Sequence, residues 1–166
     1  MEIESHTPFN AALQQNLIYL VAYFLNRSIL SPSGDRNEGG STTGINVHMW
    51  NDYAIKIASE HGYTAVVKLL LDHGADIHVD EDIPLKQTIH EHRIDTAQLL
   101  LERKADVHVK GDMPIVLASQ YDDIDMIELL LAYGANIHTH HNEILKWAES
   151  NPQRKLARFL REKGLI

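Results

Sequence analysis

Histidine is the residue whose type and spacing could carry chemistry in this 166-residue chain, which contains eleven of them. Four recur at intervals of thirty residues and end similar pentapeptides (GINVH, GADIH, KADVH and GANIH): His48, His78, His108 and His138. Imidazole is a common zinc ligand, and zinc holds nitrogen at about 2.0–2.1 Å. Helices that pack side by side lie about 8–10 Å apart, so neighbouring members of this ladder cannot share one ion. We expect each imidazole instead to hold a turn by hydrogen bonding, since it can both donate and accept.

A second histidine cluster is local and comprises His138, His140 and His141. No carboxylate or cysteine stands at ligand spacing beside it, so a histidine-based metal site is the least favoured function. The sequence contains no glycine-rich phosphate loop, no H-E-x-x-H motif, no nucleophile elbow and no cysteine. We therefore predict that the protein is not an enzyme and needs no metal or cofactor.

The charge and composition of the chain limit the classes of partner that it can bind. The net charge is −8, which argues against general nucleic-acid binding. Residues 52–141 hold 16 acidic and 7 basic residues, a net of −9, whereas residues 142–166 hold 3 acidic and 6 basic residues, a net of +3. The longest apolar run, residues 17–25, is too short to cross a bilayer. We expect no membrane association and a cytosol-like, reducing compartment.

A thirty-residue repeat supplies the elements that position the histidines. Three columns of small or apolar residues run through four copies: Ala58, Thr88, Ala118 and Ala148; Val67, Ala97, Ile127 and Ala157; Leu70, Leu100, Leu130 and Leu160. Each copy is predicted to form two short helices. The break between them falls at Gly62, His92 and Asp122, residue types that tolerate positive φ.

Two segments then show a family resemblance. "HTPFNAA" (6–12) resembles the ankyrin T-P-L-H-x-A signature, with departures at Phe9 and Asn10, and "GYTAVVKLLLDHGADI" (62–77) resembles the ankyrin second helix and turn. The stretch from Gly74 to Pro84 is three residues shorter than usual, and such repeats are similar to ankyrin arrays of large DNA viruses of amoebae or of intracellular bacterial effectors. The resemblance implies an all-α ankyrin-repeat solenoid of about five antiparallel helix pairs with shortened fingers.

The register divides the single domain, residues 1–166, into seven parts. The expected parts are a first helix pair (7–27), an inserted flexible loop (28–43), a first finger (44–51), internal repeats (52–81, 82–111 and 112–141) and a C-terminal capping repeat (142–166). Lys104 stands in the helix-capping column that holds glycine at positions 44, 74, 134 and 164, so a left-handed backbone is predicted there.

The resemblance implies a monomeric, non-enzymatic protein-interaction module whose partner is a host protein in the host cytosol. The alternative is an ankyrin-type inhibitor that occludes a basic segment of a transcription factor. The resemblance also implies that the turn histidines could be hydroxylated by an asparaginyl hydroxylase. The implied partner-binding residues lie on the fingers and the ends of the first helices: Glu60, His61, Asp80, Glu81, Asp82, His90, Glu91, Lys110, Asp112, Gln120, Tyr121, His140 and His141. Asp80, Glu81 and Asp82 are expected to be exposed and to attract a basic partner.

Overall fold

The computed structural model describes residues 47–152 and 154–165, and in this part of the chain it contains eight helices and no strand. The helices are α1 (Met49–Glu60), α2 (Thr64–Asp72), α3 (Val79–His90), α4 (Ile94–Glu102), α5 (Val109–Gln120), α6 (Ile124–Ala132), α7 (Thr139–Ser150) and α8 (Lys155–Glu162). The first helix of each pair begins thirty residues after the previous one, at Met49, Val79, Val109 and Thr139. The predicted all-α class is confirmed. No helix in the described ranges is both long and apolar enough to span a bilayer.

Several predicted parts lie outside the described residues. These are the first helix pair (7–27), the inserted loop (28–43) and the start of the first finger (44–46).

The helix pairs stack into a solenoid. Each first helix packs against its own second helix and against the first helix of the next pair, and successive second helices also pack together. The three predicted columns form the centre of this packing. At the leucine column, Leu100, Leu130 and Leu160 have no exposed surface and Leu70 is also buried. Burying one such side chain contributes roughly 1.5–3 kcal/mol, so the thirty-residue period in the sequence is the period of the core.

The turn between the two helices of a pair has the predicted left-handed backbone. Gly62, His92 and Asp122 have φ of 71°, 54° and 59°. Lys104, after α4, has φ of 75°, which confirms the prediction for the capping column. A Cβ atom at Gly62 would lie 2.7 Å from Cδ of Arg93, so this glycine also makes room for the next repeat.

Each finger contains a left-handed turn at the beginning of the following first helix. In the second finger, Asp80, Glu81 and Asp82 have φ of 51°, 60° and 59°. The equivalent residues 50–52 and 110–112 also have positive φ, as do His140 and Asn142. Left-handed helical geometry costs roughly 1–2 kcal/mol for each residue that is not glycine. Other interactions must therefore hold the finger in this conformation.

Candidate functional site

Four histidines help to hold the left-handed turns of the fingers, and we call them the ladder histidines: His48, His78, His108 and His138. Each contacts the side chain four residues further along the chain. The shortest contacts of Nδ1 are 3.0 Å for His48 to Asp52, 3.1 Å for His78 to Asp82, 2.7 Å for His108 to Asp112 and 3.0 Å for His138 to Asn142. An ionised carboxylate only accepts hydrogen bonds, so Nδ1 carries the proton in the three aspartate pairs. The imidazoles remain about half exposed, with side-chain exposures of 54–57% for His48, His78 and His108.

The three finger aspartates form the second interaction, which links successive fingers. The Oδ1 atoms of Asp52, Asp82 and Asp112 accept hydrogen bonds from backbone N–H groups 24 residues further on, at 2.8, 2.9 and 3.0 Å. The donors are Asp76, Asp106 and Asn136, in the next finger. We call this series the aspartate ladder. Each carboxylate thus holds its own left-handed turn through the histidine and the neighbouring finger through the backbone.

Two expectations need correction here. Asp82 and Asp112 were expected among the exposed partner-binding residues, but only 3% and 9% of their surfaces are exposed, because both carboxylates turn inward to the next finger. The imidazole was expected to pin the turn by itself, whereas the carboxylate makes the bond to the backbone and the imidazole contacts that carboxylate. The spacing H-x-x-x-D or H-x-x-x-N occurs in all four fingers and is the sequence signal that could have identified this pair.

A further contact orders each finger ahead of the histidine. Side-chain Oδ1 atoms of Asp76, Asp106 and Asn136 accept the backbone N–H of His78, His108 and His138 at 2.8, 2.8 and 2.9 Å. No group of three or more metal-ligating side chains comes together within the described ranges. The observed contacts of the ladder histidines are those that order the fingers.

The tip of the second finger is acidic but internally paired. Asp80 accepts hydrogen bonds from Asn51 Nδ2 at 2.9 Å and from Lys56 Nζ at 2.8 Å, and Glu81 pairs with Lys110. The bond from Lys56, with that from Asn51, lowers the pKa of Asp80, and the bond from Lys110 lowers the pKa of Glu81. Both carboxylates remain exposed, but part of the negative field expected at this tip is neutralised by these lysines.

The last finger carries His140 at the tip position, where its side chain is exposed. His141 follows it within α7.

The ends of the first helices hold the other predicted binding residues in three small groups. Glu60 accepts a hydrogen bond from Gln87 at 3.3 Å, and Nδ1 of His61 contacts its own helix at the carbonyl of Ile57. His90 contacts Glu91 at 2.8 Å.

Tyr121 connects the second group to the third. Its ring lies edge-on to His90, with 5.5 Å between ring centroids, and to His92, at 5.9 Å. The backbone carbonyl of Gln120 accepts a hydrogen bond of 2.8 Å from Arg154. The structure thus brings His90 and Tyr121 together but does not unite all the predicted residues in one cluster.

Three of the four large exposed hydrophobic side chains in the described residues lie on a finger, on a first helix or at its end. Trp50 is 78% exposed at the tip of the first finger, Tyr53 is 51% exposed in α1, and Tyr121 is 39% exposed after α5. Tyr133, which is 37% exposed, lies instead at the end of α6. The sequence analysis did not select Trp50 or Tyr53, although Trp50 is equivalent in the repeat to the selected Asp80.

Two cavities lie near the end of α5. One, about 360 Å³, opens between α5 and α7 and is lined by Val116, Gln120, Glu143, Ile144, Lys146 and Trp147, among others. We call it the Val116 cavity. The other, about 400 Å³, lies beside Tyr121 and has a mainly polar lining that includes His92, Asp123 and Lys155. Arg154 lies near both. It hydrogen-bonds the carbonyl of Gln120 and stacks 4.5 Å from the ring centre of Trp147 at the first cavity, and it lies 3.8 Å from Asp122 at the second.

Comparison with known proteins agrees with this architecture. A family model described as ankyrin repeats (3 copies) matches residues 9–110, and a model described as ankyrin repeat matches residues 110–142. A search of curated proteins gave no match.

Proposed function

Because the chain belongs to the ankyrin-repeat family, whose repeats serve as protein–protein interaction modules, we propose that it binds a protein partner through its fingers and first helices. The observation that carries the proposal is the position of the exposed aromatic side chains. Trp50, Tyr53 and Tyr121 lie on the fingers or on the first helices and their ends. Tryptophan and tyrosine are enriched among the residues that dominate the binding energy of protein interfaces.

The charge of the array supports a partner with a basic surface. The excess of nine negative charges over residues 52–141 is spread over the repeats, whereas the pairing of Asp80 and Glu81 with lysines reduces it locally. A distributed negative field increases the rate of encounter with a basic protein and is screened by salt. The proposed binding surface includes Asp80, Glu81, Lys110 and His140 on the fingers. On the first helices and their ends it includes Glu60, His61, His90, Glu91, Gln120 and Tyr121.

The source of the partner is inferred from the resemblance of the thirty-residue repeats to arrays of large DNA viruses of amoebae and of bacterial effectors. That resemblance supports a host protein as partner, host cytosol as compartment and a monomeric chain that acts by occupying a host surface. The second candidate is an inhibitor that covers a basic segment of a transcription factor, and the same acidic excess favours it. Complete loss of binding in added salt supports the second candidate, whereas binding that persists at high salt supports the first.

The test uses two tyrosines of matched exposure. Tyr121 and Tyr133 are 39% and 37% exposed, but only Tyr121 lies on the proposed surface. A photo-crosslinking phenylalanine analogue replaces each in turn, and the chains are irradiated in a lysate of eukaryotic host cells. We expect a discrete crosslinked protein from position 121 and a much lower yield of it from position 133. Equal yields at the two positions, or no crosslinked protein at either, contradict the proposed surface.

A further inference from the structure

The Val116 cavity lies where the repeat departs from its own pattern. Position 116 belongs to a column that holds lysine in the other three described repeats, at Lys56, Lys86 and Lys146. The first two of these lysines bend onto the second finger. Lys56 Nζ donates to the Asp80 carboxylate at 2.8 Å, and Lys86 Nζ approaches the Asp80 carbonyl oxygen at 3.5 Å. Valine is too short to do this, and the cavity opens beside it.

Two further positions that line the Val116 cavity also differ from the residues found at the equivalent positions of the other repeats. Glu143 stands in a column that otherwise holds Tyr53, Ile83 and Met113, and Trp147 stands in a column that otherwise holds Ile57, Gln87 and Leu117. An acid and an indole therefore line the cavity at the repeat boundary where the lysine is missing. Glu143 is exposed and forms no ion pair with any residue in the described ranges.

We propose that the Val116 cavity receives a lysine or arginine side chain of the protein partner, a proposal that rests on the proposed function. The aliphatic stem of such a side chain lies against Val116 and Ile144, as long basic side chains commonly do on apolar surface. The cationic end meets the Glu143 carboxylate and the Trp147 ring, which attract it by ion pairing and by the cation–π interaction. At about 360 Å³ the cavity is large enough for one side chain.

Two cations of the chain itself bear on this site. Arg154 stacks on Trp147 but is held by the Gln120 carbonyl at 2.8 Å and lies 3.8 Å from Asp122, so it fixes the indole without lining the cavity. Lys146 lines the cavity and is exposed, and its charge opposes an incoming cation. The cavity therefore suits one cation placed beside Glu143, and removing the charge of Lys146 strengthens its binding.

The first experiment uses N-acetyl-arginine amide as the probe and N-acetyl-citrulline amide as its uncharged analogue of the same shape. The chain has two tryptophans, so the indole N–H signals of Trp147 and Trp50 in a proton–nitrogen NMR spectrum report on the cavity and on a distant control. We expect the arginine probe to shift the Trp147 signal in a saturable way and to leave Trp50 unchanged. Equal shifts of both indoles, or equal binding of the citrulline probe, overturn the proposal.

Three substitutions test the same cavity. Val116→Lys restores the residue that the other repeats use, so it preserves the fold and should abolish the shift of Trp147. Glu143→Gln should weaken binding by about fivefold, the effect of one favourable exposed ion pair. Lys146→Met should strengthen binding of the arginine probe. General destabilisation of the domain cannot produce a change in this direction. Unchanged binding in Val116→Lys overturns the proposal.

The last experiment separates the cavity from the proposed function. Val116→Lys is introduced into the chain that carries the crosslinker at position 121, and its yield is compared with that of the parent. A large loss of the captured protein supports the cavity as the receptor of its basic side chain. An unchanged yield overturns the cavity proposal while the proposed function stands, and the absence of capture from the parent chain overturns the proposed function itself.

Discussion

Replacing Asp82 by alanine should destabilise the protein far more than its position in an acidic finger suggests. The Asp82 side chain is buried, accepts the backbone N–H of Asp106 at 2.9 Å and contacts His78 Nδ1 at 3.1 Å. A hydrogen bond to a charged group contributes about 1.5–3 kcal/mol, and Asp82 makes two such contacts. Because the imidazole is half exposed and can turn to water, we expect a loss of about 2–4 kcal/mol in the free energy of unfolding.

Two substitutions provide matched controls for this prediction. Asp82→Asn retains an oxygen acceptor, and the fourth finger already uses this residue at Asn142, so we expect a loss of about 1 kcal/mol or less. Asp80→Ala removes an acid two residues away that is exposed and bound only at the surface, so it should change stability little. Urea unfolding followed by circular dichroism at the helix band gives all three values. If the free energies of unfolding of Asp82→Ala and Asp82→Asn agree within about 0.5 kcal/mol, the aspartate ladder does not stabilise the fold in this way.

Three further predictions follow from the backbone and charges of the fingers. Lys104→Gly should raise the free energy of unfolding by about 1 kcal/mol, because glycine adopts the φ of 75° without strain, and an unchanged urea midpoint would contradict this. Reversing Asp80 and Glu81 to lysine should slow association with a basic partner and flatten its salt dependence in stopped-flow measurements, whereas Asp125→Lys on α6 should have a smaller effect. The pKa of Asp80 is lowered by Lys56, so this interaction stabilises the fold above the ordinary pKa of an aspartate and is lost as the pH falls below about 4. Lys56→Met should therefore flatten the fall of the urea midpoint between neutral pH and about pH 3, and an identical acid limb in both chains would exclude this contribution.

The repeated columns of the sequence were sufficient to predict the helix pairs and the residues of their core. They also predicted the backbone at Gly62, His92, Asp122 and Lys104, because each stands in a column whose position in the fold requires positive φ. These predictions succeeded because the period of the helices and the conformation of the turns depend on residues that are close together in the chain.

The burial of Asp82 and Asp112 could not be predicted in the same way. An acid in a run such as VDEDI is usually solvated, and the acceptor role of the carboxylate depends on a backbone N–H that is 24 residues away in the chain. The H-x-x-x-D spacing is visible in the sequence, but it indicates a contact only once the left-handed turn between the two residues is known. The pairing of Asp80 with Lys56 could not be predicted for the same reason, since the two residues are 24 apart in the chain.

The aspartate ladder also bears on how an array of this kind can change its length. The carboxylate and the N–H of each rung lie 24 residues apart in the chain, less than one thirty-residue period, so every internal unit contributes one acceptor and one donor. Copying or deleting a segment of thirty residues in register, wherever the cut falls, leaves the number of acceptors and donors matched. Gain or loss of whole units by unequal recombination therefore preserves the bonds between fingers. A change that is not a whole number of units, made between the two partners of a rung, alters their separation and breaks that bond.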